Sequence, residues 1–158
     1  MLRPDFQLVS WIVLGSLLSA RVQLLQTHPG VGPVTALAFV LVIGDITRFR
    51  RSKQLASYLG LIPSEESSGT RRRLGAISKQ GNTLLRTLLV EAGQSAARCD
   101  PELRRAYQRL CHKKAHTGIG KVMVARKLAV RLYWMLKTQQ PYSPARMQSS
   151  PRHSVSTP

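Results

Sequence analysis

The sequence predicts a mainly α protein: a compact helical domain with a helix-hairpin-helix-like element and an irregular Ser/Arg-rich loop. Three observations carry this. Apolar residues recur at helical spacing in "NTLLRTLLVEAG" and "VARKLAVRLYWML". Helix-start signals stand in front of such runs, Asp100-Pro101-Glu102 above all, with a cap, a first-turn proline and an acid against the helix dipole. The chain has 158 residues, of which 43% are apolar, enough for one domain with a core of its own.

Taken in order, the first element is "LVSWIVLGSLLSA" (Leu8–Ala20), which has the texture of a signal-peptide core. At 13 residues it is shorter than the ~20 a bilayer span requires. Asp5 and the strongly basic chain behind it argue against a signal peptide, and the favoured reading is a buried or partner-packed helix, or a segment not native to the domain. From Val22, "VQLLQTHPGVGPVTALAFVLVIGDITRF" gives the end of one helix, a turn containing Gly30 and Gly32, and a second, nearly all-apolar helix over Thr35–Ile43. In a helix-hairpin-helix such a turn aims free N–H groups at a phosphate; an ordinary αα-hairpin has the same texture. "SKQLASYLG" predicts a short helix with Ser52 as N-cap, Gly60 just past its end, and Leu55, Tyr58 and Leu59 facing inward.

The segment "PSEESSGTRRRLGAISKQGN" cannot continue as helix, given its Pro, Ser and Gly content. A helix capped by Asn82 follows, with Leu84, Leu85, Leu88, Leu89 and Ala92 on one buried face. Asp100 opens the next, to about Lys114. The last helix runs over about 119–138, with Val124, Ala125, Leu128, Leu132, Met135 and Leu136 inward and Arg126, Lys127, Arg131 and Lys137 on a basic outer face. From Pro141 the chain turns Pro/Ser-rich and is expected to be disordered.

Charge narrows the function. Lys and Arg number 24 against 7 acids, a net +17, so a polyanion is the expected partner: nucleic acid first, an anionic membrane second. Candidate contacts are the turn glycines Gly30 and Gly32, Arg51 and Lys53 of the "RFRRSK" cluster, and Arg71, Arg72, Arg73 and Lys79. Two cysteines make no disulfide framework and suit a reducing cytoplasm. Cys111-His112 with His116 lacks the second half of a zinc site, and "GIGK" at 118–121 lacks the earlier glycine and the following Ser/Thr of a P-loop. Of the seven acids only Glu65 and Glu66 adjoin, and adjacent residues of an extended segment point opposite ways, so no metal site and no self-contained two-metal nuclease is expected. A serine before a glycine, followed by three arginines, could serve phosphoryl transfer, arginine forks meeting charge on the phosphoryl oxygens. A base or metal to take the hydroxyl proton is not evident beside it, and from spacing alone the favoured reading is a Ser/Gly turn beside phosphate-contacting arginines.

"HPGVGPVTALAFVLVIGDITRF", "SKQLASYLGLIPSEESSGTRRRLGAISKQGN" and "VARKLAVRLYWML" together resemble the C-terminal domain of DEDD-type insertion-sequence transposases, the insertion-sequence 116/110/902 class of RNA-guided, serine-dependent recombinases. The resemblance covers about 22–140, leaving 1–21 as a segment unlike the family and 141–158 as a tail. It implies that a serine directly before the glycine after "YLGLIP" becomes joined to a DNA end; that position is Ser68, with Ser67 as its neighbour. It further implies DNA and a structured guide RNA as partners, a homo-oligomer or a full-length transposase beside this chain, and work in the bacterial cytoplasm at the nucleoid. Mg2+ is expected only with the family's RNase H-like acidic domain. Nothing before Val22 resembles that domain, so the expectation is a truncated transposase, inactive alone. The alternative is a non-catalytic DNA- or RNA-binding module; a secreted cationic protein is a third reading.

Overall fold

Caps and turns set the element boundaries. The computed structural model describes the backbone of residues 4–68, 71–77, 80–114 and 117–144, and the side chains of 15–62, 80–109, 111 and 118–144. Six α-helices stand among the described residues: α1 (Pro4–Gln26), α2 (Pro33–Ile43), α3 (Ser52–Tyr58), α4 (Thr83–Cys99), α5 (Pro101–Lys114) and α6 (Thr117–Thr138). A 3-10 turn, Ile46–Arg48, precedes α3, and β1 (Pro63–Ser68) pairs antiparallel with β2 (Arg71–Ile77). The fold is mainly α, as expected. The Ser/Arg-rich segment expected to be irregular is instead a hairpin. Composition that excludes helix leaves extended chain open, and two extended stretches this close can pair their own backbone groups.

Asn82 caps α4 as expected, its Oδ1 accepting the Leu85 N–H at 2.9 Å. Asp100 Oδ1 accepts the N–H groups of Glu102 (2.8 Å) and Leu103 (3.0 Å) at the head of α5. Ser52, by contrast, is not the cap of α3 but its first helical residue. The Gln54 side chain closes that end, Oε1 accepting from the Arg50 and Arg51 N–H groups at 2.8 and 3.3 Å.

Helix α6 is the central element, packed against α1, α3, α4 and α5. Its expected inner residues Val124, Ala125, Leu128, Leu132, Met135 and Leu136 are all buried. Tyr133 is buried as well and donates its hydroxyl to the Phe49 carbonyl at 2.9 Å. Arg131, assigned to the basic outer face, is buried too. It stands seven residues, two helical turns, beyond Val124 and so returns to the inner side. Leu84 departs the other way: Leu85, Leu89 and Ala92 fill the core while Leu84 is exposed. Tyr58, expected inward, is 41% exposed.

Helix α1 runs unbroken through the boundary expected at residue 21, and Leu18 and Val22 pack against the same core. No helix among the described residues is long and apolar enough to cross a membrane. Tyr142, inside the tail expected from residue 141, packs against the core (below). Residues 145–158 of that tail lie outside the described residues.

Candidate nucleic-acid interface

Of the expected contacts, Arg51 and Lys53 stand together in the surface around α3. Arg50, Arg51 and Lys53 line a cleft of ≈ 460 Å³ together with Gln54, Ser57 and Ile62. A second cleft, ≈ 440 Å³, is lined by Gln54, Ser57, Tyr58, Gln80 and Gly81. The two share Gln54 and Ser57, so one groove follows the exposed side of α3 to the base of the hairpin. Arg48 is engaged by aromatic rings: its guanidinium lies 4.7 Å over the ring centroids of both Phe49 and Tyr58.

The hairpin base is a clasp of two glycines. Gly60 (φ +66°) and Gly81 (φ +91°) both adopt the left-handed region. A Cβ on Gly60 would stand 2.1 Å from the Gln80 carbonyl oxygen, and one on Gly81 2.2 Å from that of Tyr58. Neither position has room for a side chain. The chain leaving α3 and the chain entering α4 therefore meet backbone to backbone. Leu61 N–H donates to the Ala56 carbonyl at 3.0 Å and Gly60 N–H to that of Ser57 at 2.9 Å, ending α3.

Beyond the clasp the register places Ser68 opposite Arg71, Ser67 opposite Arg72 and Glu66 opposite Arg73. In an antiparallel ladder directly opposed residues belong to one face and successive residues to alternate faces. Ser68 and Arg71 therefore share a face, and Ser67 belongs to the other. Gly69, Thr70 and Lys79 lie outside the described residues.

The turn glycines are separate in role. Gly30 (φ +89°) touches α4: a Cβ there would stand 2.3 Å from the Ala96 nitrogen, so the residue is needed for packing. Gly32 is the N-cap of α2 at φ −84°, with open space where a side chain would go.

A buried polar cluster beside Gly30 was missed in the sequence. Arg131 donates from Nη1 to Asp100 Oδ2 and from Nη2 to Glu102 Oε2, each at 2.6 Å. Lys127 Nζ reaches Glu102 Oε1 at 3.3 Å. The Tyr142 hydroxyl donates to Asp100 Oδ2, and its ring lies 4.2 Å from that of buried His28. His28 Nδ1–H donates to the Pro29 carbonyl at 2.8 Å, which leaves Nε2 to accept from Arg131 Nη1 at 3.4 Å. Burial lowers His28 from 6.5 to about 4. Burial alone would raise the Asp100 carboxyl, but the Tyr142 hydroxyl, the Leu103 N–H and Arg131 outweigh it and hold the group well below the usual carboxylate range. Burial and the Asp100 hydrogen bond push Tyr142 up to about 12. A cluster so fully satisfied is structural. The available signal was the i, i+7 relation of Val124 and Arg131.

Among the described residues no group of three or more His, Cys, Asp and Glu could hold a metal ion. Cys99 and Cys111 are both free thiols.

Fold and surface together define a basic, mainly helical module from which a hairpin projects. Residues 22–108 match the model of the Transposase IS116/IS110/IS902 family, and the chain belongs to that family. It is 36% identical over 128 residues to a probable family 20 transposase of Pseudomonas aeruginosa, covering 79% of this chain and 38% of that protein. To the transposase for insertion sequence element IS1111A of Coxiella burnetii it is 46% identical over 76 residues, 48% of this chain and 21% of the relative. A pilin gene-inverting protein of Moraxella lacunata is 30% identical over 130 residues, 79% of this chain and 39% of the relative. The chain thus spans less than half the length of these relatives.

Proposed function

We propose that this chain serves DNA transposition as the DNA-binding, serine-supplying part of an insertion-sequence transposase, with Ser68 as the nucleophile. One observation carries the reading: the register sets Ser68 opposite Arg71 on a hairpin anchored by the Gly60–Gly81 clasp. An attacking hydroxyl needs fixed placement and a cation beside the phosphoryl oxygens, and that pairing supplies both from one ladder. In the step, a Ser68 Oγ–phosphorus bond forms, the bond to the departing deoxyribose oxygen breaks, and the serine proton ends on that oxygen, passed directly or through water. Reversal with a new hydroxyl rejoins the strand without an external energy source. Arg51, Lys53, Arg71, Arg72, Arg73 and Lys79 hold the backbone of DNA, and Gly30 and Gly32 offer N–H groups to a phosphate from the separate turn before α2, against the far end of α4.

The described residues do not fit a Mg2+ site, and no step here runs through one. The acidic domain, a structured guide RNA and further protomers belong to the longer assembly in which the chain would act, at the nucleoid of the bacterial cytoplasm. A second reading, binding by occupancy alone, is favoured by the α3 cleft, whose Arg51 and Lys53 make no use of Ser68.

The test mixes the chain with a full-length family member and end-labelled element DNA, then resolves covalent protein–DNA adducts under denaturing conditions. Ser68→Ala should abolish the adduct on this chain while Ser67→Ala keeps it. Undiminished adduct from Ser68→Ala leaves only the occupancy reading.

A further inference from the structure

The groove along α3 is not uniform in chemistry. One end carries Arg50, Arg51 and Lys53, and the other an exposed aromatic ring between two amides. Tyr58 is 41% exposed although Leu55 and Leu59, on the same short helix, are fully buried. The ring is nonetheless fixed. Arg48 covers it at 4.7 Å and Phe49 meets it edge-on at 5.5 Å, an arrangement that holds an aromatic in one orientation at the surface. Beside it, Gln54 has Oε1 committed to the Arg50 and Arg51 N–H groups, and its Nε2 has no acceptor among the described residues. Gln80, exposed across the cleft, brings a second amide.

We propose that this groove binds an unpaired nucleotide segment, its phosphates on Arg50, Arg51 and Lys53 and one base stacked on Tyr58. Arg51 and Tyr58 are seven helical residues apart, about 10 Å, a distance a short single strand covers. A duplex could use the basic end alone, because its bases are stacked inside and offer no face to a ring. The Gln54 Nε2 can donate to a base edge, and the Gln80 amide can donate to or accept from one, a pairing open only to an unpaired base. The proposal rests on the nucleic-acid reading above and adds the strand state. It places a frayed or unpaired stretch next to the hairpin that carries Ser68, since Gln80 and Gly81 belong to both the groove and the hairpin base.

The experiment is fluorescence anisotropy with the whole chain and three labelled probes: an oligothymidylate and an oligouridylate of about eight nucleotides, and a duplex of the same length. Tyr58→Leu should weaken single-strand binding about five- to hundredfold, the range for loss of one base–aromatic stack, and change duplex binding less than twofold. Tyr58→Phe should restore single-strand binding, because the ring and not the hydroxyl is used. The two single-stranded probes show whether deoxyribose or ribose is preferred. Gln80→Ala, at an exposed residue outside α3, serves as a second variant should Tyr58→Leu lower the unfolding midpoint, and should likewise weaken only the single strands. Equal single-strand affinity of Tyr58→Leu and wild type, or equal losses on single strand and duplex, overturns the proposal while leaving duplex binding in place. Binding of none of the probes at low salt overturns the nucleic-acid reading with it.

Discussion

Arg131 holds two carboxylates and one imidazole with a single guanidinium, and the region around the Gly30 turn closes on it. Replacing it by Met leaves Asp100 buried without its countercharge, a change that costs about 3–5 kcal/mol in comparable buried pairs. Urea unfolding of Arg131→Met should show that loss, and a midpoint within error of wild type would mean the pair is idle. The same cluster sets an acid limit. His28 has a folded value near 4 against 6.5 unfolded, so between these the unfolded chain binds the extra proton. Stability is then full above pH 6.5 and falls as pH drops toward 4, by up to about 3 kcal/mol, with Asp100 adding a further loss below the normal carboxylate range. His28→Gln should flatten stability against pH between 6.5 and 4; an unchanged slope would place the titration elsewhere. Asp100 was legible as a helix cap. Its second bond, to a residue 31 positions away, was not, because a cap is local and an ion pair across the core is not.

At the scale of elements, the hairpin depends on its clasp. Gly60 was legible as the residue past α3, since a helix end favours the left-handed region there. Its contact with Gln80 was invisible, for it joins two segments separated by the whole hairpin. Gly60→Ala imposes the left-handed penalty of about 1–2 kcal/mol and drives a methyl into a backbone carbonyl. Its unfolding midpoint should drop accordingly, with faster amide exchange in 71–77. Gly32→Ala, where φ is −84° and the space is open, should stay within about 0.5 kcal/mol of wild type. Similar behaviour of the two variants would mean that the clasp does not hold the hairpin. Strand pairing was not legible because like residues run together, two glutamates, two serines and three arginines, and the apolar Leu74, Ala76 and Ile77 have no apolar counterpart in 64–68. Backbone pairing, set by register, formed it instead.

At the scale of the molecule, the +17 charge is not neutralised from within. Asp100 and Glu102 are spent on Arg131 and Lys127, so they do nothing for the cationic surface. On the proposed reading, duplex affinity falls steeply with salt. Replacing Arg71, Arg72 and Arg73 together with Ala should flatten the log–log slope by roughly two to three, at about 0.9 per duplex phosphate released. A slope that does not move takes the hairpin out of the duplex interface and leaves the α3 cleft.

The sequence by itself determined the helices after the first, most of their caps, the inner side of α6 and the excess of positive charge. Each follows from spacing along one element or from counting. Tertiary structure alone decided that Tyr58 faces out, that Arg131 faces in, that Tyr142 belongs to the core, and that Gly60 meets Gln80. Each of these joins segments distant in sequence, and periodicity within one helix does not report which neighbour its face will meet.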